Sequence, residues 1–105
     1  MIYELRTYTI LPGKKDAVVA RHEKVLPIYT RNNIKIIGFW TTMIGRAETF
    51  YYMLQYESLA DRDAKRAVFF KDPELQNIIK DEAASPTIQF QDNTILAPTA
   101  YSPMR

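Results

Sequence analysis

At 105 residues, with 47% hydrophobic and 25% charged side chains, the chain has the size and balance of one folded unit spanning residues 1–105. No apolar run approaches the roughly 18 residues of a membrane span. Fourteen basic residues oppose twelve acidic ones, but the signs alternate, as in Asp61-Arg62-Asp63-Ala64-Lys65-Arg66, so no basic stripe forms for a nucleic-acid backbone.

Residues 2 to 11, IYELRTYTIL, are dominated by β-branched and aromatic side chains and predict a first strand. Because the chain opens directly on this pattern, no secretory or transit segment is expected. The absence of cysteine excludes disulfides and thiolate chemistry and suits a reducing, cytoplasmic setting. Pro12-Gly13 breaks the strand. From Lys14 to about Asn32 the apolar residues follow a helical period, with Val18, Val25, Leu26 and Tyr29 in one sector. Pro27 within this stretch predicts a kink or a tightened last turn. Asn32-Asn33 supplies an end, since Asn tolerates the left-handed conformation.

Residues 34 to 44 predict a second strand and Gly45-Arg46 a turn. Alternation puts Ile37, Phe39 and Met43 on one face of that strand and Ile36, Trp40 and Ile44 on the other. A third strand covers roughly Glu48 to Glu57, with Phe50, Tyr52, Leu54 and Tyr56 facing one way and Tyr51 and Met53 the other. Ser58 and Asp61 have capping-box spacing and open a second helix to about Lys71. Asp72-Pro73 starts a third helical piece, with Leu75, Ile78 and Ile79 inward, that ends at Ser85-Pro86. A last strand follows from Thr87 to Leu96.

The fold class is therefore α+β, a ferredoxin-like β-α-β-β-α-β unit with a four-stranded antiparallel sheet and helices on one side. Strands with apolar residues on both faces predict that the helix-free side is also covered. Exposed apolar patches above a few hundred Å² are uncommon in monomers, so two copies are expected to pack sheet against sheet.

Several segments, IYELRTYT, PGK, IGFWTTMIG, YESLADRDAKR and ILAPTAYSP, together resemble the NIPSNAP family over almost the whole chain. The resemblance implies a dimeric α+β barrel: a homodimer, or a larger oligomer of dimers, in which two ferredoxin-like protomers close a barrel with helices outside. The wider superfamily includes cofactor-free monooxygenases and haem-handling enzymes, whose sites lie in a cleft between sheet and helices. It supplies no settled biochemical activity for NIPSNAP proteins themselves.

His22 is the only histidine. Its helical angle falls amid Val18, Val25, Leu26 and Tyr29, so it should point at the sheet. There it is either a packed core histidine with one ring nitrogen bonded, or a base, or a ligand for haem iron. No other cofactor is expected. Glu4 and Arg6 share a strand face with Ile2 and Tyr8. Arg6 reads either as an anchor for an anionic ligand or, with Glu4, as a lock across the dimer interface, the latter being favoured. Trp40, Tyr3 and Tyr52 are the aromatic candidates for lining a ligand cleft. Three functions follow: binding of a small hydrophobic or aromatic ligand, a cofactor-independent monooxygenase or haem-handling enzyme, and a protein-interaction scaffold.

Overall fold

The computed structural model describes residues 1–105. Its elements run β1 (Ile2–Ile10), α1 (Lys15–Arg31), β2 (Lys35–Thr41), β3 (Thr49–Tyr56), α2 (Leu59–Phe69), α3 (Pro73–Ala84) and β4 (Ile88–Leu96). The four strands form one antiparallel sheet in the order β2-β3-β1-β4. This is the expected ferredoxin-like arrangement, with the second helical segment split in two.

The split has a local cause. Ser58 caps α2 by accepting from the Asp61 backbone N–H, while the Asp61 carboxylate accepts from that of Glu57. Asp72 caps α3 by accepting from the Glu74 N–H, with Pro73 at the first helical position. At the other end of α1, Asn33 takes φ +60°, the left-handed conformation that Asn tolerates. The helix runs on through Pro27 as far as Arg31.

The helices cover one face of the sheet. On that face Tyr8 and Ile10 of β1 and Phe50, Tyr52, Leu54 and Tyr56 of β3 meet Val18, Val25, Ile28 and Tyr29 of α1, with Phe69 and Leu75 from α2 and α3. Tyr29 and Phe69 stack at 4.4 Å between centroids, an aromatic contact that contributes about 0.5–1.5 kcal/mol beyond its buried area. Two side chains expected inside are more open. Leu26 and Ile79 are 39% and 42% exposed, whereas Ile28, one helical turn beyond Lys24, is fully buried. The sheet-facing sector of α1 extends toward Ile28 and away from Leu26.

Strand β2 departs from simple alternation. Its register against β3 shifts between Ile36 and Gly38, so Ile36 pairs with Leu54 and Phe39 with Tyr52. A bulge inserts one residue and reverses which face the following side chains take. Ile36 and Phe39 consequently both pack on the helix-side core. The strand also stops at Thr41, earlier than expected, because Thr42 and Thr49 bond to each other through backbone and hydroxyl groups and close the loop. Met43 and Ile44 lie in that loop at 96% and 95% exposure, so they belong to neither sheet face.

On the helix-free side, cross-strand pairs place Leu5 beside Met53 and Thr7 beside Tyr51, with Tyr51 next to Trp40. Phe90 and Leu96 of β4 join the same face and are solvent-exposed. Trp40 lays its ring back over Gly38, where a Cβ would stand 2.7 Å from the indole. Any larger residue there would have to displace that ring.

Candidate functional site

Between the sheet and the helices lies a cleft of about 480 Å³. Its floor is polar and comes from the strands: Arg6 and Tyr8 from β1, Tyr52 from β3, and Gln91 and Asn93 from β4. Its roof is largely apolar, with Phe69 and Phe70 at the end of α2 and Leu75, Ile78 and Ile79 on α3. His22 and Tyr29 of α1 close one side. No helix lies over much of β4, whose residues from Gln89 to Leu96 are exposed, and the cleft opens toward that edge strand.

The floor is a single hydrogen-bonded network. Arg6 donates through Nε and Nη2 to the Tyr8 hydroxyl at 3.1 and 3.0 Å, and Gln91 donates to the same oxygen at 3.1 Å. An oxygen already accepting from these groups must donate its own hydrogen onward. The acceptor is the Tyr52 hydroxyl, 2.7 Å away, which in turn reaches Tyr29 at 3.3 Å. Polarity thus runs from Arg6 through Tyr8 to Tyr52, and the Tyr29 hydroxyl extends the network along the cleft. Burial, with the other phenols nearby, holds the Tyr52 pKa well above its ordinary value and pushes Tyr29 up to about 12. Burial works against the charge of Arg6, but the surrounding Tyr52, Tyr8 and Tyr29 oxygens raise its pKa.

Behind the floor, Glu4 is completely buried and gathers guanidinium groups. Arg6 Nη1 donates to Oε2 at 2.8 Å, Arg62 Nε donates to Oε1 at 2.6 Å, and Arg66 Nη1 stands 3.9 Å from Oε2. Burial alone would raise the Glu4 pKa. The bonds from Arg62 and Arg6 outweigh it and hold the carboxyl below its usual range. This arrangement corrects the expected interface lock. Glu4 and Arg6 pair with each other inside the protomer, and Glu4 also binds Arg62 of α2, fifty-eight positions on in the same chain. Beneath the same helix the buried Tyr56 hydroxyl lies near the Arg66 guanidinium but outside ordinary hydrogen-bond geometry.

His22 Nδ1 lies 2.9 Å from the Val18 carbonyl oxygen. A carbonyl only accepts, so Nδ1 carries the proton, and in the neutral ring Nε2 is left with a lone pair. Burial lowers the His22 pKa, with the Val18 bond partly opposing, so the neutral form dominates at pH 7. Axial haem ligation would need a flat macrocycle against Nε2. Instead, the rings of Phe50, Tyr52, Tyr8 and Phe39 crowd this imidazole at 4.3, 5.3, 5.4 and 6.4 Å, and these residues do not fit haem. No group of three or more His, Cys, Asp or Glu side chains converges on a metal site.

Of the residues singled out from sequence, His22, Arg6 and Tyr52 meet in the cleft. Trp40 and Tyr3 do not, because both lie on the helix-free face of the sheet. Sequence reasoning missed Tyr29, Phe69 and Arg66. The signal for Arg66 was its four-residue spacing from Arg62, which puts both over the same buried carboxylate.

Comparison with known proteins gives a consistent result. The NIPSNAP family profile matches residues 3–103. The chain is similar to Protein NipSnap of Drosophila melanogaster, at 28% identity over 97% of this chain and 36% of that protein. The chain spans about a third of the length of the curated relatives it matches. Among solved structures it is similar to a NIPSNAP family protein of Agrobacterium tumefaciens, at 31% identity, TM-score 0.89, 99% of this chain and 98% of that one. An antibiotic biosynthesis monooxygenase shares the fold at TM-score 0.65 and 11% identity, covering 94% of this chain and 99% of that one. No helix is long and apolar enough to cross a membrane.

Proposed function

The chain belongs to the NIPSNAP family, and on that premise we propose that it binds a small hydrophobic or aromatic molecule in the cleft between sheet and helices. The observation that carries this reading is the division of the cleft, with apolar side chains of α2 and α3 above and the Arg6–Tyr8–Tyr52–Tyr29 network below. Pockets of several hundred Å³ with apolar walls and a few convergent polar groups are the usual form of a small-molecule site. A thermal-shift screen of flat aromatics and quinones tests it. A ligand that binds the folded state raises the melting temperature with concentration. Failure of every member to do so counts against the reading.

A second reading, an enzyme working without a cofactor, is favoured by His22, whose Nε2 is left with a lone pair and which lines the same cleft as the tyrosine network. In that case Nε2 would take a proton from the ligand, and the Tyr29 end of the network would bond to the oxygen on which negative charge develops.

We also infer that the helix-free face is covered by a second copy of this chain. Its centre, Leu5, Thr7, Tyr51, Met53 and Trp40, carries no charge, and Asp92 lies beside Thr7 on the edge strand β4. A two-fold contact brings the same patch together on both subunits and so requires no charge complementarity. Cytoplasmic placement belongs to this reading as well.

A further inference from the structure

The cleft is lined by three guanidinium groups, of Arg6, Arg21 and Arg66, against one carboxylate, Glu82. Two of the three are already engaged. Arg21 pairs with Glu82 and also donates to the carbonyls of Ser85 and Asp81. Arg6 spends its donors on Glu4 and Tyr8. Arg66 is different. Its ion contact within 4 Å is to Glu4 Oε2, at 3.9 Å, and that oxygen already accepts from Arg6 at 2.8 Å. The other Glu4 oxygen accepts from Arg62. Glu4 therefore brings one negative charge to three guanidiniums. A mostly exposed Asp63 offers a second, at 3.6 Å, to Arg62. The surplus positive charge rests at Arg66.

Arg66 is also held in place. Its guanidinium sits 4.8 Å from the Phe70 ring centroid, and its side chain is 22% exposed. The buried Tyr56 hydroxyl is the neutral oxygen near this guanidinium, and it can occupy only part of its donors. A stacked, partly desolvated guanidinium of this kind is pre-set for planar, two-pronged recognition of a carboxylate. Next to it are the apolar residues Phe69, Leu75, Ile78 and Ile79.

We propose that Arg66 is the anion anchor of the cleft and that its ligand is an apolar monocarboxylate, a small hydrophobic or aromatic acid whose body lies against α3. This rests on the reading that the cleft binds a small molecule, and it names the class. A single surplus charge matches a singly charged acid, and the neighbouring wall offers little hydrogen bonding to a polar body.

The test measures binding of 1-naphthoate, 1-naphthol and 1-naphthyl phosphate by calorimetry to the natural chain, Arg66→Gln and Arg66→Lys. The acid is expected to bind about tenfold more tightly than the alcohol to the natural chain. Arg66→Gln should abolish that preference while leaving the alcohol within about twofold, and Arg66→Lys should keep part of it. Equal binding of acid and alcohol, or a preference that survives Arg66→Gln, overturns the anchor and leaves the cleft reading intact. Tighter binding of the phosphate than of the acid overturns the monocarboxylate class. No binding by any of the three overturns the anchor, and it removes the cleft reading only if the broader screen is also silent. Should Arg66→Gln fail to fold, the acid–alcohol comparison in the natural chain and Arg66→Lys decides.

Discussion

Arg6 places two nitrogens, Nε and Nη2, on one oxygen, the hydroxyl of Tyr8 two residues away. Residues at this spacing point to the same face of a strand, so β1 carries a ready-made pair into the cleft. Tyr8→Phe would leave two donors of a buried guanidinium unsatisfied. Urea denaturation should show a loss of about 1–3 kcal/mol. A variant as stable as the natural chain would mean that water replaces the hydroxyl and that the network does not organise the floor.

Glu4 is the second test of that floor. Removing its charge leaves Arg6, 8% exposed, without its counter-ion, and Glu4→Gln should cost about 3–5 kcal/mol. The pH dependence follows from the lowered carboxyl pKa. The stabilising contribution is complete above the ordinary value of 4.5 and disappears as pH falls through the folded-state value. The natural chain should therefore lose stability on acidification more steeply than Glu4→Gln. Parallel acid limbs would show that Glu4 is not held as an anion.

For His22 the predicted observable is the tautomer. Nitrogen-resolved NMR at pH 7 should find the proton on Nδ1, with Nε2 unprotonated. Titration should give a midpoint below the ordinary 6.5, because burial disfavours the imidazolium. Since the unfolded chain binds this proton more readily, the effect of His22 on stability turns unfavourable as pH falls below that ordinary value. A midpoint at or above it would contradict the buried, neutral assignment and weaken the enzyme reading.

The two sides of the sheet predict different phenotypes for neighbouring substitutions. Phe39 packs on the helix-side core and Trp40 on the open face. Phe39→Glu should prevent stable folding, whereas Trp40→Glu should leave a folded chain that sediments as a monomer. A natural chain that sediments as a monomer at micromolar concentration would remove the second copy from the account.

How much of this was legible beforehand depended on locality. Strand and helix order followed from side-chain patterning and from punctuation such as Pro12-Gly13 and Asp72-Pro73, which act within a few residues. The bulge near Ile37 was not legible, because register is set by the partner strand. With it went the assignment of Ile36, which alternation placed beside Trp40 and the structure places with Phe39. His22 reached the cleft from helical angle alone. Glu4 was read with Arg6 as facing a second copy because its other charge partner, Arg62, is distant in the chain. The run from Asp61 to Arg66 read only as alternating signs with no basic stripe, although two of its arginines converge on a buried carboxylate.

The central claim is that the space between sheet and helices receives an apolar molecule, and an NMR titration with 1-naphthoate tests it most directly. The account predicts intermolecular contacts from the naphthyl protons to the methyl groups of Leu75, Ile78 and Ile79. Contacts to Leu5 and Met53 on the opposite face, or no contacts at saturating ligand, would contradict it.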